Sequence, residues 1–169
     1  KKIYLLIAFM LVCCSYLKAQ ATSLVVDCQN PGWLSNKIAY GDQKTIKDLK
    51  VTGYINADDL KFIGEMMSKQ SLKGCIDLED VNIVGATLDE DNVMPQNAFN
   101  IDWSEYNPDG IHISEIIFPL SITKSTSCLS PYLYVGKITI GSELMPSING
   151  ETFYDNTYSG GDGVRFNKR

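Results

Sequence analysis

The sequence predicts an α/β to mostly β chain: a strand–helix–strand cap region at the N-terminal side, then a short solenoid of units of roughly 22–23 residues. Three observations predict it. Residues 113–124, ISEIIFPLSITK, align without a gap on residues 135–146, VGKITIGSELMP, at an offset of 22 residues. The alignment places Glu115 with Lys137, Ile116 with Ile138, Phe118 with Ile140 and Ile122 with Leu144. Upstream, two strand-like runs bracket one amphipathic helical run between residues 45 and 85. The composition, 169 residues with 44% hydrophobic and 21% charged, supplies enough apolar side chains for an ordered core. A repeated unit of this kind cannot bury its apolar face alone; stacked neighbours bury a continuous ladder.

The chain divides into three segments. Residues 1–21 read as a secretory signal peptide: Lys1-Lys2, the apolar run Ile3–Leu17, then Ala19-Gln20-Ala21 as a small-x-small cleavage site. Cleavage is expected after Ala21, with Ala19 as second choice, and the missing initiator Met reads as trimmed. The run is too short for a membrane span, and none remains once it is removed. A lipid anchor on Cys13 or Cys14 is the rival reading. It fits poorly, because Val12 and Cys13 stand where a small residue belongs. Residues 22–85 form the N-terminal cap region, and residues 86–169 hold degenerate repeats.

Removing residues 1–21 takes away Lys1, Lys2 and Lys18, leaving 12 basic and 20 acidic side chains and a formal charge of −8. Such a surface repels phosphate backbones, which argues against nucleic acid as a partner. A secreted or cell-surface location is expected. Three cysteines then remain, Cys28, Cys75 and Cys128, an odd number in a compartment that permits disulfides. Cys75 reads as a small buried hydrophobe, and a Cys28–Cys128 bridge stays open. With no CxxC and His112 as the sole histidine, a tetrahedral zinc site lacks ligands, and no cofactor is expected.

Along the cap region, Leu24–Asp27 reads as a strand broken by Asn30-Pro31-Gly32. Trp33, Leu34 and Ile38 recur at helical spacing, giving a short helix to Tyr40 that ends at Gly41-Asp42. Thr45–Ile55 alternates through Leu49 and Val51, with Gly53 as a kink. Asn56 reads as the N-cap of the next helix, with Asp58 and Asp59 in its first turn. Leu60, Ile63 and Met67 share one face, widened by Phe62 and Met66, and the helix ends near Lys69. This stripe could line a groove, but core is the commoner role of such a stripe. The stretch LKGCIDLEDVNIVG follows. Ile76, Leu78, Val81 and Ile83 form its apolar set, and Asp77, Asp80 and Asn82 read as turn and backbone partners rather than acid–base groups.

Residues 86–112 are the least regular. Asp89-Glu90-Asp91 lacks the alternating ligands and closing Glu of a calcium loop and reads as a solvated turn. Asp102, Glu105 and Asp109 offer carboxylates for glycoside hydrolysis, but no nucleophile elbow, metal set or phosphate loop accompanies them. His112 beside an apolar strand reads as structural or surface.

The units ISEIIFPLSITK and KITIGSELMPSINGETFYD resemble the repeat of the BspA-like bacterial leucine-rich-repeat surface proteins, roughly L-x-x-I-x-I-P-x-S-V-T-x-I-G-x-x-A-F. Phe153 falls on its phenylalanine, and Asn97-Ala98-Phe99 resembles its ending. The segments LKVTGYINADDLKFIGEMM and LKGCIDLEDVNIVG resemble the region that often precedes such repeats, so the resemblance spans about residues 45–156. The sequence departs from the pattern at Ser125–Tyr134 and lacks Gly-x-x-Ala-Phe after Ile122. The resemblance implies a repeat scaffold on Leu49, Val51, Ile76, Leu78, Ile83, Ile116, Phe118, Ile122, Ile138, Ile140, Leu144 and Phe153. It also implies adhesion without catalysis, through binding of an extracellular protein or glycan. Trp103, Tyr106, Tyr132 and Tyr134 are the aromatic binding candidates, local packing being the commoner role of each. Two alternatives stand beside it. One is a structural cap for a longer repeat array continuing past Arg169. The other is a secreted hydrolase using Asp102, Glu105 or Asp109.

Overall fold

Period-two alternation along each strand puts one set of side chains on a shared apolar face, and the chain stacks these strands in parallel. The structure is a computed structural model that describes residues 23–69, 71–99, 110–125, 127–130 and 132–140, and the backbone of 166–168. The signal-peptide residues 1–21, with Cys13 and Cys14, lie outside the described residues, as do Trp103, Tyr106, Asp102, Glu105, Asp109, Leu144 and Phe153.

The strands are β1 (Ser23–Cys28), β2 (Asp48–Ile55), β3 (Cys75–Asp77), β4 (Val81–Ile83), β5 (Val93–Met94), β6 (Ile111–Phe118), β7 (Lys124–Ser125), β8 (Leu133–Ile140) and β9 (Phe166–Lys168). Among the described residues seven of them form one sheet in the order β1-β2-β3-β6-β8-β9, with β4 also paired to β2. Every pairing is parallel. The fold is therefore α/β with a mostly parallel sheet and few helices. Neighbours in space follow chain order. Leu49 pairs with Ile76, Ile76 with Ile116, Ile116 with Ile138, and Ile138 with Phe166. The 22-residue alignment is the observed register of β6 on β8, including Glu115 opposite Lys137 and Phe118 opposite Ile140. A second, two-stranded parallel ladder pairs β5 with β7, and Phe99 bridges to Leu129 beyond it.

The inner face is one apolar cluster. Leu49, Val51, Ile76, Leu78, Ile83, Ile116, Phe118, Ile122, Ile138 and Ile140 are all buried in it. Phe99 is completely buried there too. A fully buried side chain of this size contributes about 1.5–3 kcal/mol relative to exposure.

Two helices close one end. α1 is a single turn, Leu34–Lys37, and α2 spans Ala57–Ser68. α2 starts where Asn56 caps it: the Asn56 side chain accepts from the amides of Asp58 and Asp59, and Asp59 returns a bond to the Asn56 amide. Leu60, Ile63, Met66 and Met67 are buried, so the stripe is core. Its last turn is tied by Ser71, whose amide and hydroxyl both donate to the Met66 carbonyl.

Three expectations need correction, and one open pairing is resolved. The first helix does not run to Tyr40. Ile38 turns extended at ψ 109°, which buries its side chain, and a separate 3-10 turn follows at Asp42–Lys44. The apolar set from Ile76 to Ile83 makes two strands, because Asp77 accepts from the Glu79 amide in an Asx turn that interrupts it. Cys75 is half-buried rather than buried, and the Cys28–Cys128 bridge is not formed: among the described residues Cys28, Cys75 and Cys128 are in no disulfide.

Candidate interaction face

The residues that alternate with the core positions line the opposite face of the sheet. On β2 these are Lys50, Thr52 and Tyr54; on β3, Cys75 and Asp77; on β6, Glu115 and Ile117; on β8, Lys137 and Thr139. In-register parallel pairing puts them into cross-strand rows, where neighbours can bond. Lys50 Nζ lies 2.8 Å from an Asp80 carboxylate oxygen and 3.2 Å from one of Asp77. Lys137 Nζ donates to Glu115 Oε1 at 2.7 Å, and the Thr139 hydroxyl donates to the same oxygen. Thr52 donates to Asp27 on β1 at 3.2 Å. These charges are paired within the face itself.

That pairing shapes the titration of the row. The hydrogen bonds from Lys50 to Asp80 and Asp77 hold its ammonium above the ordinary lysine range. Burial pushes the Cys75 thiol up to about 11, helped by the negative charges of Glu115 and Asp77. Burial alone pushes Cys128 up to about 12, and burial followed by the Asp59 charge raises Cys28. A thiol so raised is protonated at neutral pH and is a poor nucleophile.

At the start of β6 and β8 an aromatic pair rises from the sheet. The rings of His112 and Tyr134 stack with centroids 4.8 Å apart and planes 11° from parallel. That separation matches the spacing between neighbouring strands, so the stack follows from the His112–Tyr134 register. Gly110 permits it. At φ +74° a Cβ there would stand 2.4 Å from Tyr134 Cε2. Tyr134 remains 46% exposed. Beyond the pair the ladder is interrupted in both strands at the same point. Ser114 and Gly136 drop out of the register, and the Ser114 amide turns to the carbonyls of Lys73 and Gly74. A Cβ on Gly136 would meet the Ser114 carbonyl oxygen at 2.8 Å.

Of the aromatic candidates, then, Tyr134 is exposed on this face, while Tyr132 is half-buried with its amide bonded to the Ser130 hydroxyl. His112 is exposed and joins Tyr134, in keeping with a surface role. Sequence reasoning passed over Tyr54, 51% exposed at the end of β2. The alternation Lys50, Thr52, Tyr54 against Leu49, Val51, Ile55 was the signal that would have found it. It also passed over Asn92, at φ 57°, whose side chain accepts from the Ile83 amide and whose carbonyl accepts from the amide and hydroxyl of Thr123. Asn92 thereby joins the β4 segment to the chain before β7. In the acidic run, Asp91 accepts from the Gly85 amide and Glu90 from that of Ala86. These carboxylates close a loop. Compared with known protein families and with curated proteins, the chain matches none.

Proposed function

We propose that the chain is a secreted or cell-surface leucine-rich-repeat protein of the BspA-like type. Its polar sheet face, with the His112–Tyr134 stack, binds an extracellular protein or glycan without catalysis. The observation that supports this best is the stack of parallel strands in chain order, with residues 22 apart directly paired across β6 and β8. In a repeat solenoid each unit meets only its neighbours and offers one side chain per position to a common face. Here that face carries donors, acceptors and an exposed ring on a rigid sheet, the elements a multi-contact interface uses. The raised Cys75 thiol on this face is a poor nucleophile.

The test is binding of the purified, folded protein to immobilised extracellular-matrix proteins and to a glycan array. Saturable binding that Tyr134→Ala weakens about tenfold, or about 1.4 kcal/mol, is the expected result for a peripheral aromatic anchor. Binding that survives Tyr134→Ala, Lys50→Ala and Lys137→Ala unchanged would remove the ligand from this face.

A further inference from the structure

Among the described residues β1 is the outermost strand of the sheet and pairs with β2 alone. Its pairing is regular through all six residues, Ser23 to Cys28, with no bulge. The strand SLVVDC carries no Pro and no Lys. Natural edges are normally blunted by such residues, by bulges or by a covering segment, because a free row of N–H and C=O groups recruits another strand. Among the described residues no other strand pairs with this edge, and Val25 on the strand's outward face stands 65% exposed.

The side chains select the partner. We propose that β1 pairs antiparallel with β1 of a second copy of the chain, about a two-fold axis at Val25. That register opposes Val25 to its own copy, Leu24 to Val26, and Ser23 to Asp27. Opposed residues share a face, as antiparallel pairing requires. Leu24 and Val26 are half-buried and buried, so their pairing extends the core side. Ser23 and Asp27 are both exposed, and a serine hydroxyl donates well to a carboxylate that still has acceptor capacity beside Thr52 and Gln29. The neighbouring registers are worse. An axis at Val26 sets Asp27 against Val25, and an axis at Asp27 sets two carboxylates together. The isologous two-fold contact closes at a dimer instead of growing into a fibre. It joins two sheets edge to edge and leaves both polar faces open, so it stands independently of any ligand on those faces.

A strand contact of five residues from each copy buries less than a standard interface, so a dissociation constant of roughly 10–100 µM is expected. Sedimentation equilibrium on the purified protein, its N terminus defined by intact mass, would show monomer and dimer in that range. Ser23→Lys, which faces Asp27 of the other copy, should tighten the dimer several-fold. Ser23→Asp should weaken it at least tenfold. Val25→Cys under mild oxidation should give a 25–25 disulfide in peptide mapping. Both positions are exposed, and circular dichroism of each variant verifies the fold. A protein that stays monomeric at several hundred micromolar overturns the proposal. So does a dimer that ignores both Ser23 substitutions and yields no 25–25 cross-link, which would place the contact elsewhere, and so does pairing only with an added peptide of another sequence.

Discussion

Asp59 holds three backbone amides with one carboxylate. Its Oδ2 accepts from Gly32 at 2.6 Å and from Asn56 at 3.0 Å, and its Oδ1 accepts from Leu34 at 2.9 Å. It thus caps α2 and pins the loop leading into α1, while only 2% exposed. Removing it leaves the Leu34 amide buried and unsatisfied, a cost charged to no other group nearby. Asp59→Ala is expected to lower stability by about 3 kcal/mol in urea denaturation, and Asp59→Asn by about half as much. Gly74 is the second such point. A Cβ there would lie on top of Asp48 Oδ1, the atom that accepts from the Cys75 amide at 2.8 Å. Gly74→Ala is expected to cost about 2–3 kcal/mol. Combined with Asp48→Ala, which clears the space, the loss should be smaller than the sum of the two single losses; an additive double mutant would reject the clash.

At the level of the element, β6 and β8 are a matched pair with a shared gap in their ladder. Gly136→Ala pushes a methyl onto the Ser114 carbonyl, and Ser114 has already turned away from the ladder toward Lys73 and Gly74. A loss of about 1–2 kcal/mol is expected, with the ring-current shifts of His112 and Tyr134 changing in the same variant. The Glu115–Lys137 pair is a weaker support. Its side chains are 21% and 41% exposed, so Lys137→Ala should cost under about 1 kcal/mol. The β6–β8 register was legible because Ile, Phe and Ile recur at equal spacing with a Glu facing a Lys. The gap in the ladder was not, since Ser114 and Gly136 carry no apolar signature. Nor was the break between β3 and β4. Apolar residues at 76, 78, 81 and 83 read as one run, whereas the Asp77 turn acts through a side chain bonding to the backbone. The short helix was overextended for a related reason. Ile38 reaches the core by leaving the helix, and periodicity alone cannot tell the two routes apart.

For the molecule as a whole, the thiols link stability to alkaline pH. Cys75 and Cys128 ionise at about 11 and about 12 when folded, against 9.0 for an ordinary thiol, and Cys28 is raised as well. Below pH 9 folded and unfolded chains hold the same thiol protons. Between about 9 and 12 the folded chain holds more, so rising pH favours unfolding across that window. The urea midpoint is expected to stay flat up to about pH 9 and then fall, and a Cys75→Ser, Cys128→Ala variant should lose part of that slope. At pH 8 a thiol with a pKa of about 11 is thiolate in roughly one molecule in a thousand, so Cys75 should label slowly with a disulfide reagent until the chain is denatured. Much of this architecture was readable: alternation, the Asn56 cap and the 22-residue alignment all lie in local pattern. The outward face, on which Ile117 and Thr139 are themselves buried, was readable only in part, because which outward residues meet depends on register between strands far apart in sequence. Asp27, Thr52, Asp77 and Glu115 become neighbours only once the strands are stacked.

The spacing between paired strands has a consequence for how such a chain changes over generations. Leu49, Ile76, Ile116, Ile138 and Phe166 follow one another across the sheet at intervals of 27, 40, 22 and 28 residues. The strands nevertheless stay in step although the connections differ in length. Lengthening a connection costs little, since loop closure grows only slowly with length. Insertions and deletions can therefore collect between strands while the outward row keeps its order and pitch. Two descendants of one ancestor could differ widely in length and still display the same row of side chains, and kinship among them would be kept in the short strand segments rather than in the chain as a whole.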